Sequence, residues 1–187
     1  MALKIAITGN IASGKSQVEN ILRDLGYYVY DSDKIAHAVL DSITDFYGYD
    51  VFTEGKIDRK KLGQLVFSNP DLRQKLEKLT HPKVKREILD LFEKHKDDKF
   101  IFVSVPLLFE AGFDNIFDKI ILVYVDKDIQ LKRLMQRNNL SEYEAMLRIS
   151  AQDEQAEKVK HADFVIENNT SIDDLNEQIK KIVAKLL

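Results

Sequence analysis

No cysteine occurs among the 187 residues. That removes disulfide scaffolds, thiolate zinc sites and cysteine nucleophiles together. Glycine and proline are scarce, at 7 and 3 residues, which excludes collagen-like and low-complexity classes. No apolar run approaches the roughly 18 residues that suggest a membrane span. The opening Met1-Ala2-Leu3-Lys4-Ile5-Ala6-Ile7 lacks the form of a signal peptide. A soluble cytoplasmic protein is therefore expected. There is also no large excess of one charge: 28 basic against 31 acidic residues give a net charge of −3. That balance argues against a dedicated nucleic-acid binder and leaves room only for a local basic patch.

What is present can build a core. Hydrophobic residues are 44% and charged residues 32% of the chain, outside the usual disordered composition. At this length folding hides roughly 70% of the surface that the unfolded chain exposes. One domain, or one domain with small insertions, is the expectation. No internal repeat of solenoid period is visible.

Short apolar runs alternate with longer stretches of helical period. Lys4–Thr8, Tyr27–Tyr30, Phe100–Val105, Lys119–Val125 and Asp163–Ile166 read as five strands. Their continuous β-branched and aromatic character suits parallel strands covered by helices on both faces. The fold class is therefore α/β, a doubly wound parallel five-stranded sheet. Asn69-Pro70 opens a helix over Asp71–Leu79. Ser141 and Glu144 fit a capping box for a helix over Ser141–Ala156. Ser171 and Asp174 open the last helix, whose apolar stripe reads as packing. Residues 33–96 are too long for a βα connection and read as a helical insertion. The core is then residues 1–32 and 97–187. Within it, residues 133–155 read as a charged helix pair joined at Asn138-Asn139, a segment suited to act as a flap.

One motif carries chemistry. Gly9-Asn10-Ile11-Ala12-Ser13-Gly14-Lys15-Ser16 matches GxxxxGK[ST], with a buried strand before it and an amphipathic stretch after it. Gly9 and Gly14 let backbone amides approach phosphate oxygens. The helix that follows directs unpaired N–H groups and a partial positive charge at the anion. Lys15 supplies a compact charge to the β and γ phosphates, and the Ser16 hydroxyl suits Mg²⁺. The fourth strand ends Asp126-Lys127-Asp128 and lacks the guanine-specific pattern. The third ends Ser104-Val105-Pro106, without the acidic residue usual in a P-loop ATPase. A small-molecule kinase fits better than a GTPase or a motor.

Two further groups are ambiguous from residue types alone. Asp31 and Asp33 follow the second strand, where ligands gather in open α/β sheets. A carboxylate there can handle an attacking hydroxyl or a metal-bound water, or it can cap a helix. Arg133 and Arg137 share a helix face, with Lys132 beside them and Arg148 on the next helix. They can neutralise a transferring phosphoryl group. The residues alone favour the plainer reading, a solvated helix with scattered charges.

The ordered set of motifs resembles the dephospho-CoA kinase family. It comprises ITGNIASGKS (Ile7–Ser16), DSDKIAH (Asp31–His37), GKIDRKKLGQLVF (Gly55–Phe67), HPKV (His81–Val84) and VPLLFEAG (Val105–Gly112). Gln130, Arg133, Arg137, Arg148, Gln152 and Glu167-Asn168-Asn169 complete it. The resemblance covers nearly the whole chain. It implies transfer of the ATP γ-phosphate to the ribose 3′-hydroxyl of dephospho-CoA, with Mg²⁺, on a P-loop kinase core bearing a helical CoA domain (33–96) and a lid (133–155). It implies Asp33 as base or hydroxyl-orienting group, Lys15 as before, and Arg137 and Arg148 as phosphate-stabilising groups. His81 takes a structural or substrate-positioning role rather than proton transfer, and Pro82 reads as a helix-start proline. Leu107 and Leu108 contact the adenine or pantetheine portion, or else belong to the core. Glu110 orients a neighbour. Ile11 stands where many members have glycine, with a modest expected effect on packing over the phosphates. The expected partner is a small molecule, with no nucleic acid or membrane involved, and the chain is expected to be a monomer. The competing readings are a nucleoside monophosphate kinase and a nucleotide-dependent binding switch.

Overall fold

The structure is a computed structural model, and it describes residues 1–42, 50–53 and 56–187. Gly55, the first residue of one motif above, lies outside them. The chain divides into two compact units, residues 1–31 with 95–187 and residues 32–94.

The first unit is built on five parallel strands. They are β1 (Leu3–Thr8), β2 (Val29–Asp31), β5 (Phe100–Ser104), β6 (Lys119–Tyr124) and β7 (Phe164–Glu167), in the order β2-β5-β1-β6-β7. Ile7 pairs in register with Ser104 on one side and with Ile121 on the other. The helices of this unit are α1 (Lys15–Asp24), α5 (Lys127–Asn138), α6 (Glu142–Ser150), α7 (Gln155–Val159) and α8 (Ile172–Leu186). Side chains two residues apart on a strand share a face. Ile5, Ile7, Phe102, Ile121, Val123 and Ile166 accordingly meet Val18, Ile21 and Leu22 of α1 and Leu175, Ile179 and Ile182 of α8. The alternate residues Ala6, Ile101, Val103 and Leu122 are also buried, so both faces of the sheet are covered. Phe102 has no exposed surface. Truncation to alanine there would cost about 3–5 kcal/mol.

The connection after β1 leads toward β2, and the connection after β6 leads toward β7. Two neighbouring strands thus send their chains opposite ways, the arrangement that opens a ligand crevice at strand carboxyl ends. The five expected strands are all present, and each boundary lies within two residues of its sequence reading.

The second unit holds α2 (Ser32–Asp41), a short antiparallel pair β3 (Phe52–Thr53) and β4 (Lys56–Ile57), α3 (Arg59–Ser68) and α4 (Pro70–Lys94). Asp58 caps α3 by accepting from the N–H groups of Lys60 and Lys61. Asn69 caps α4 in the same way, accepting from Asp71 and Leu72. Two helix readings need correction. The helix that opens at Pro70 does not end near Leu79 but runs on to Lys94, with Pro82 inside it rather than at a start. Thr80, Val84, Ile88 and Phe92 are buried at four-residue spacing, and that stripe holds the helix together across the donor that Pro82 lacks. The helix that opens after Ser141 ends at Ser150 instead of Ala156. Its capping box is present.

Candidate phosphate-binding site

β1 delivers the chain to the loop and α1 carries it away. Gly14 is the N-cap of α1 with φ 86°, and no side chain caps that helix. The first backbone N–H groups of a helix have no intrahelical partner. They remain available to an anion here, reinforced by the helix dipole. A Cβ on Gly14 would collide with Asn168 Nδ2 and lie 2.8 Å from Gln17 Oε1. A Cβ on Gly9 would lie 2.8 Å from the Val123 carbonyl oxygen and 2.6 Å from Ser13 Oγ. Both glycines are therefore demanded by close packing, and Gly14 by its backbone angle as well.

The loop is fastened by side chains from far along the chain. Gln152 Oε1 accepts the Ile11 N–H at 2.7 Å. Gln130 Nε2 donates to the Ile11 carbonyl at 2.8 Å. Asn10 Nδ2 donates to the Asp153 carbonyl at 2.9 Å. Asn168 Nδ2 donates to the Ser13 carbonyl at 2.8 Å and to Gln17 Oε1 at 3.1 Å. Gln130 and Asn168 are both buried. The turn carrying Gln152 and Asp153 exists because α6 stops at Ser150. It is itself held by Glu110, whose Oε1 accepts from the Asp153 N–H at 3.4 Å and from Lys158 Nζ at 2.6 Å. Glu110 thus orients its neighbours through a lysine that is only 2% exposed.

The Lys15 ammonium donates to Glu19 Oε1 at 2.7 Å and to the Ser104 hydroxyl. Ser104 Oγ in turn donates to Glu19 Oε1 at 2.7 Å, and Arg23 Nη2 lies 3.3 Å from Glu19 Oε2. Burial by itself would push the Glu19 carboxyl up. The hydrogen bonds from Lys15 and Ser104, with the charges of Lys15 and Arg23, outweigh it and hold the group below its ordinary value. Ser16 is exposed in the first turn of α1. Asn10 Oδ1, Ser13 Oγ and Arg133 Nη1 are buried without a hydrogen-bond partner among the described residues.

The remaining residues singled out from the sequence stand as follows. Leu108 has no exposed surface, whereas Leu107 is 49% exposed. Leu108 therefore belongs to the core, and only Leu107 offers a surface to a ligand. Arg137 is exposed and its Nε donates to Asn138 Oδ1 at 2.9 Å. Arg148 is exposed on α6. Among the described residues no hydrogen bond or ion pair is seen between either arginine and the loop. Beside the loop, α5, α6 and the turn after α6 enclose a cavity of about 680 Å³, floored by Leu131, Met146 and Ile149. In the other unit, Asp33 is exposed in the first turn of α2 and His81 is half-buried along α4.

Sequence reasoning did not find Glu19, Ser104 or Lys158 as site residues. The signal for Glu19 was its spacing: Lys15, Glu19 and Arg23 recur every four residues and so share one face of α1. Lys158 carried no such signal, because a lysine reads as surface.

The sequence model of the dephospho-CoA kinase family matches residues 3–174. A dephospho-CoA kinase of Geobacillus kaustophilus is 44% identical over 99% of this chain and 97% of its own. The crystal structure of a Thermus thermophilus protein superposes with a TM-score of 0.86 at 35% identity, covering 100% of this chain and 98% of that one. A dephospho-CoA kinase from Campylobacter jejuni superposes with a TM-score of 0.78 at 36% identity, with the same coverage of both chains.

Proposed function

This chain belongs to the dephospho-CoA kinase family, and from that premise we propose how its own residues divide the reaction. The enzyme moves the γ-phosphate of ATP onto the ribose 3′-hydroxyl of dephospho-CoA, the last step of CoA biosynthesis. The oxygen of that hydroxyl bonds to the γ-phosphorus, the bond to the β–γ bridging oxygen breaks, and ADP leaves. One observation carries the assignment of the phosphate site: the uncapped start of α1, with Gly14 at φ 86° and Lys15 beside it. The amides there hold phosphate oxygens, and Lys15 neutralises charge that builds on the β–γ bridge.

Asp33 accepts the hydrogen bond of the acceptor hydroxyl, orients it, and receives its proton as the new bond forms. Transfer of this kind is loose, so orientation matters more than proton removal. Arg137 and Arg148 neutralise the transferring phosphoryl group from α5 and α6, the helix pair that serves as a lid. The helical unit 32–94 receives the long acceptor. In support, α2 and α4 frame a groove of about 640 Å³ with Ile35, Ala38 and Val39 as apolar floor and Lys34, Lys83 and Arg86 as cations. That pairing suits a flexible arm attached to a diphosphate. Within that unit His81, half-buried along α4, positions the acceptor; in the first unit Leu107 offers the substrate an exposed apolar surface.

The donor set suits Mg²⁺. Magnesium takes one or two protein oxygens, keeps several waters, and draws its other ligands from nucleotide phosphates. The exposed Ser16 hydroxyl is one such hard oxygen, and no cluster of three or more His, Cys, Asp or Glu side chains forms a cage among the described residues. When bound, the ion withdraws charge from the β and γ phosphates.

The test is incubation with Mg-ATP and a panel of acceptors, followed by mass analysis. Dephospho-CoA should gain one phosphate on its ribose 3′-hydroxyl. AMP, CMP, UMP and shikimate should be poor acceptors, and adenosine weak, because remote binding energy positions the hydroxyl. Efficient phosphorylation of a nucleoside monophosphate with no CoA formed would overturn the reading.

A further inference from the structure

The phosphate-binding motif ends at Ser16, yet the chain buries a carboxylate one helical turn beyond its lysine. Glu19 is 8% exposed. A carboxylate at that depth is costly unless paired and hydrogen-bonded. Here three donors are aimed at it. Lys15 and Ser104 share Oε1, and Arg23 takes Oε2. Lys15 also donates to Ser104, which closes a triangle of three side chains.

The place of this triangle gives it meaning. Ser104 is the last residue of β5 and pairs with Ile7 near the end of β1, the strand that feeds the loop. P-loop NTPases carry an acidic residue on a strand at their nucleotide site. This chain has a hydroxyl at the end of β5 instead, and α1 brings a carboxylate to it. Arg23 secures the other oxygen and also donates to the Val29 carbonyl at 3.4 Å, so the carboxylate is fixed from two elements.

An ammonium has three N–H donors. Among the described residues Glu19 and Ser104 occupy two of those of Lys15, which leaves one. A lysine side chain has many rotamers to lose, and this anchorage removes much of its freedom before a phosphate arrives. We propose that Glu19, seated by Ser104 and Arg23, is a positioning residue for the kinase reaction: it fixes the Lys15 ammonium at the end of β5 with one donor left for a phosphate oxygen. The inference rests on Lys15 being the phosphate-binding lysine.

The electrostatics decide which step feels it. Glu19 offsets part of the charge of Lys15, so it weakens ground-state attraction for ATP while improving the placement of the ammonium. The two effects oppose each other in binding. Placement dominates where charge develops on the transferring group. The effect therefore falls on kcat rather than on KM.

Glu19→Gln keeps size and an acceptor oxygen and removes the charge. It should lower kcat by about tenfold or more, while KM for ATP and the calorimetric affinity for a non-hydrolysable ATP analogue stay within about threefold. Ser104→Ala, which removes the seat of Glu19 and one acceptor of Lys15 but leaves the Glu19 charge, should lower kcat by about threefold at unchanged affinity. It carries the test by itself if Glu19→Gln does not fold. A folded Glu19→Gln enzyme with kcat within twofold of the parent, or a loss confined to KM, overturns the proposal, as does unchanged kcat in Ser104→Ala. Lys15→Ala separates this failure from that of its premise. An active Lys15→Ala enzyme sinks the loop reading itself, whereas an inert Lys15→Ala beside a fully active Glu19→Gln sinks only the positioning role.

Discussion

Replacing Glu110 tests whether the loop depends on a buried ion pair that never touches phosphate. Lys158 Nζ lies 2.6 Å from Glu110 Oε1, with side-chain exposures of 2% and 20%. Glu110→Ala leaves an ammonium buried without a counter-charge, which costs about 3–5 kcal/mol. The partial exposure of Glu110 favours the low end, about 3 kcal/mol. For a chain of this size each kcal/mol moves the midpoint by about 2–4 °C, so the melting temperature should fall by roughly 6–12 °C. The loss has a functional shadow, because the same carboxylate accepts from Asp153 N–H, and Asp153 and Gln152 hold Asn10 and Ile11. Affinity for an ATP analogue should therefore drop along with stability. Glu110→Leu with Lys158→Met replaces the pair by apolar groups of similar volume and removes the desolvation cost. The double variant should recover to within about 1 kcal/mol of the parent. Urea unfolding of the parent, each single variant and the double variant gives the coupling directly. A Glu110→Ala protein melting within 2 °C of the parent, or a double variant no more stable than the single, would refute the reasoning.

Three further outcomes are expected. Gly14→Ala must adopt φ 86° with a side chain and displace Asn168 from Ser13 and Gln17. The strain and the lost hydrogen bonds sum to about 3 kcal/mol, so nucleotide affinity should fall by about a hundredfold in a folded chain; ordinary affinity by calorimetry would contradict the geometry. Asp33→Asn is nearly isosteric and removes the charge from the first turn of α2, so ATP affinity should persist while turnover collapses. Full turnover would reduce Asp33 to an acidic residue that favours the helix dipole. The Glu19 carboxyl is held below its ordinary value of 4.5. Its contribution to stability is therefore complete above that value and drains away as pH falls through the lower folded value. Below pH 4.5 the parent should lose more stability than Glu19→Gln in acid unfolding. Parallel curves would show that Glu19 is not tied as described.

The parts legible in the sequence were those written in contiguous residues. The loop spans Gly9–Ser16 without a gap, and the five strands are uninterrupted apolar runs. A local signal also opened the right helices, because Asn69 and Ser141 each satisfy amides within three residues. Helix ends were less legible. His81-Pro82 reads as a break, but one missing donor is a small loss against four buried side chains on one stripe. After Ser150 no glycine or proline marks the stop. What ends α6 there is usefulness at a distance: Gln152 and Asp153 leave the helix to reach Ile11 and Asn10, which are more than 140 positions away in sequence. Gln130, Gln152 and Asn168 stood in the sequence only as parts of a resemblance. Their task is visible only when the fold brings them to the loop.

That bracing also accounts for Ile11, a position where the resemblance leads us to expect glycine. Within the loop the positive φ falls on Ala12, at 60°, and on Gly14, at 86°, and not on Ile11. A β-branched residue is therefore tolerable at position 11. What position 11 contributes is its backbone: the N–H goes to Gln152 and the carbonyl receives Gln130. Ser13 is committed in the same way, its N–H to the Asn10 carbonyl and its own carbonyl to Asn168. With these backbone groups spoken for, the amides at the start of α1 and the third donor of Lys15 are placed to meet an anion. A loop tied this tightly is already organised for phosphate, and its selectivity comes from which groups the rest of the chain has left unused.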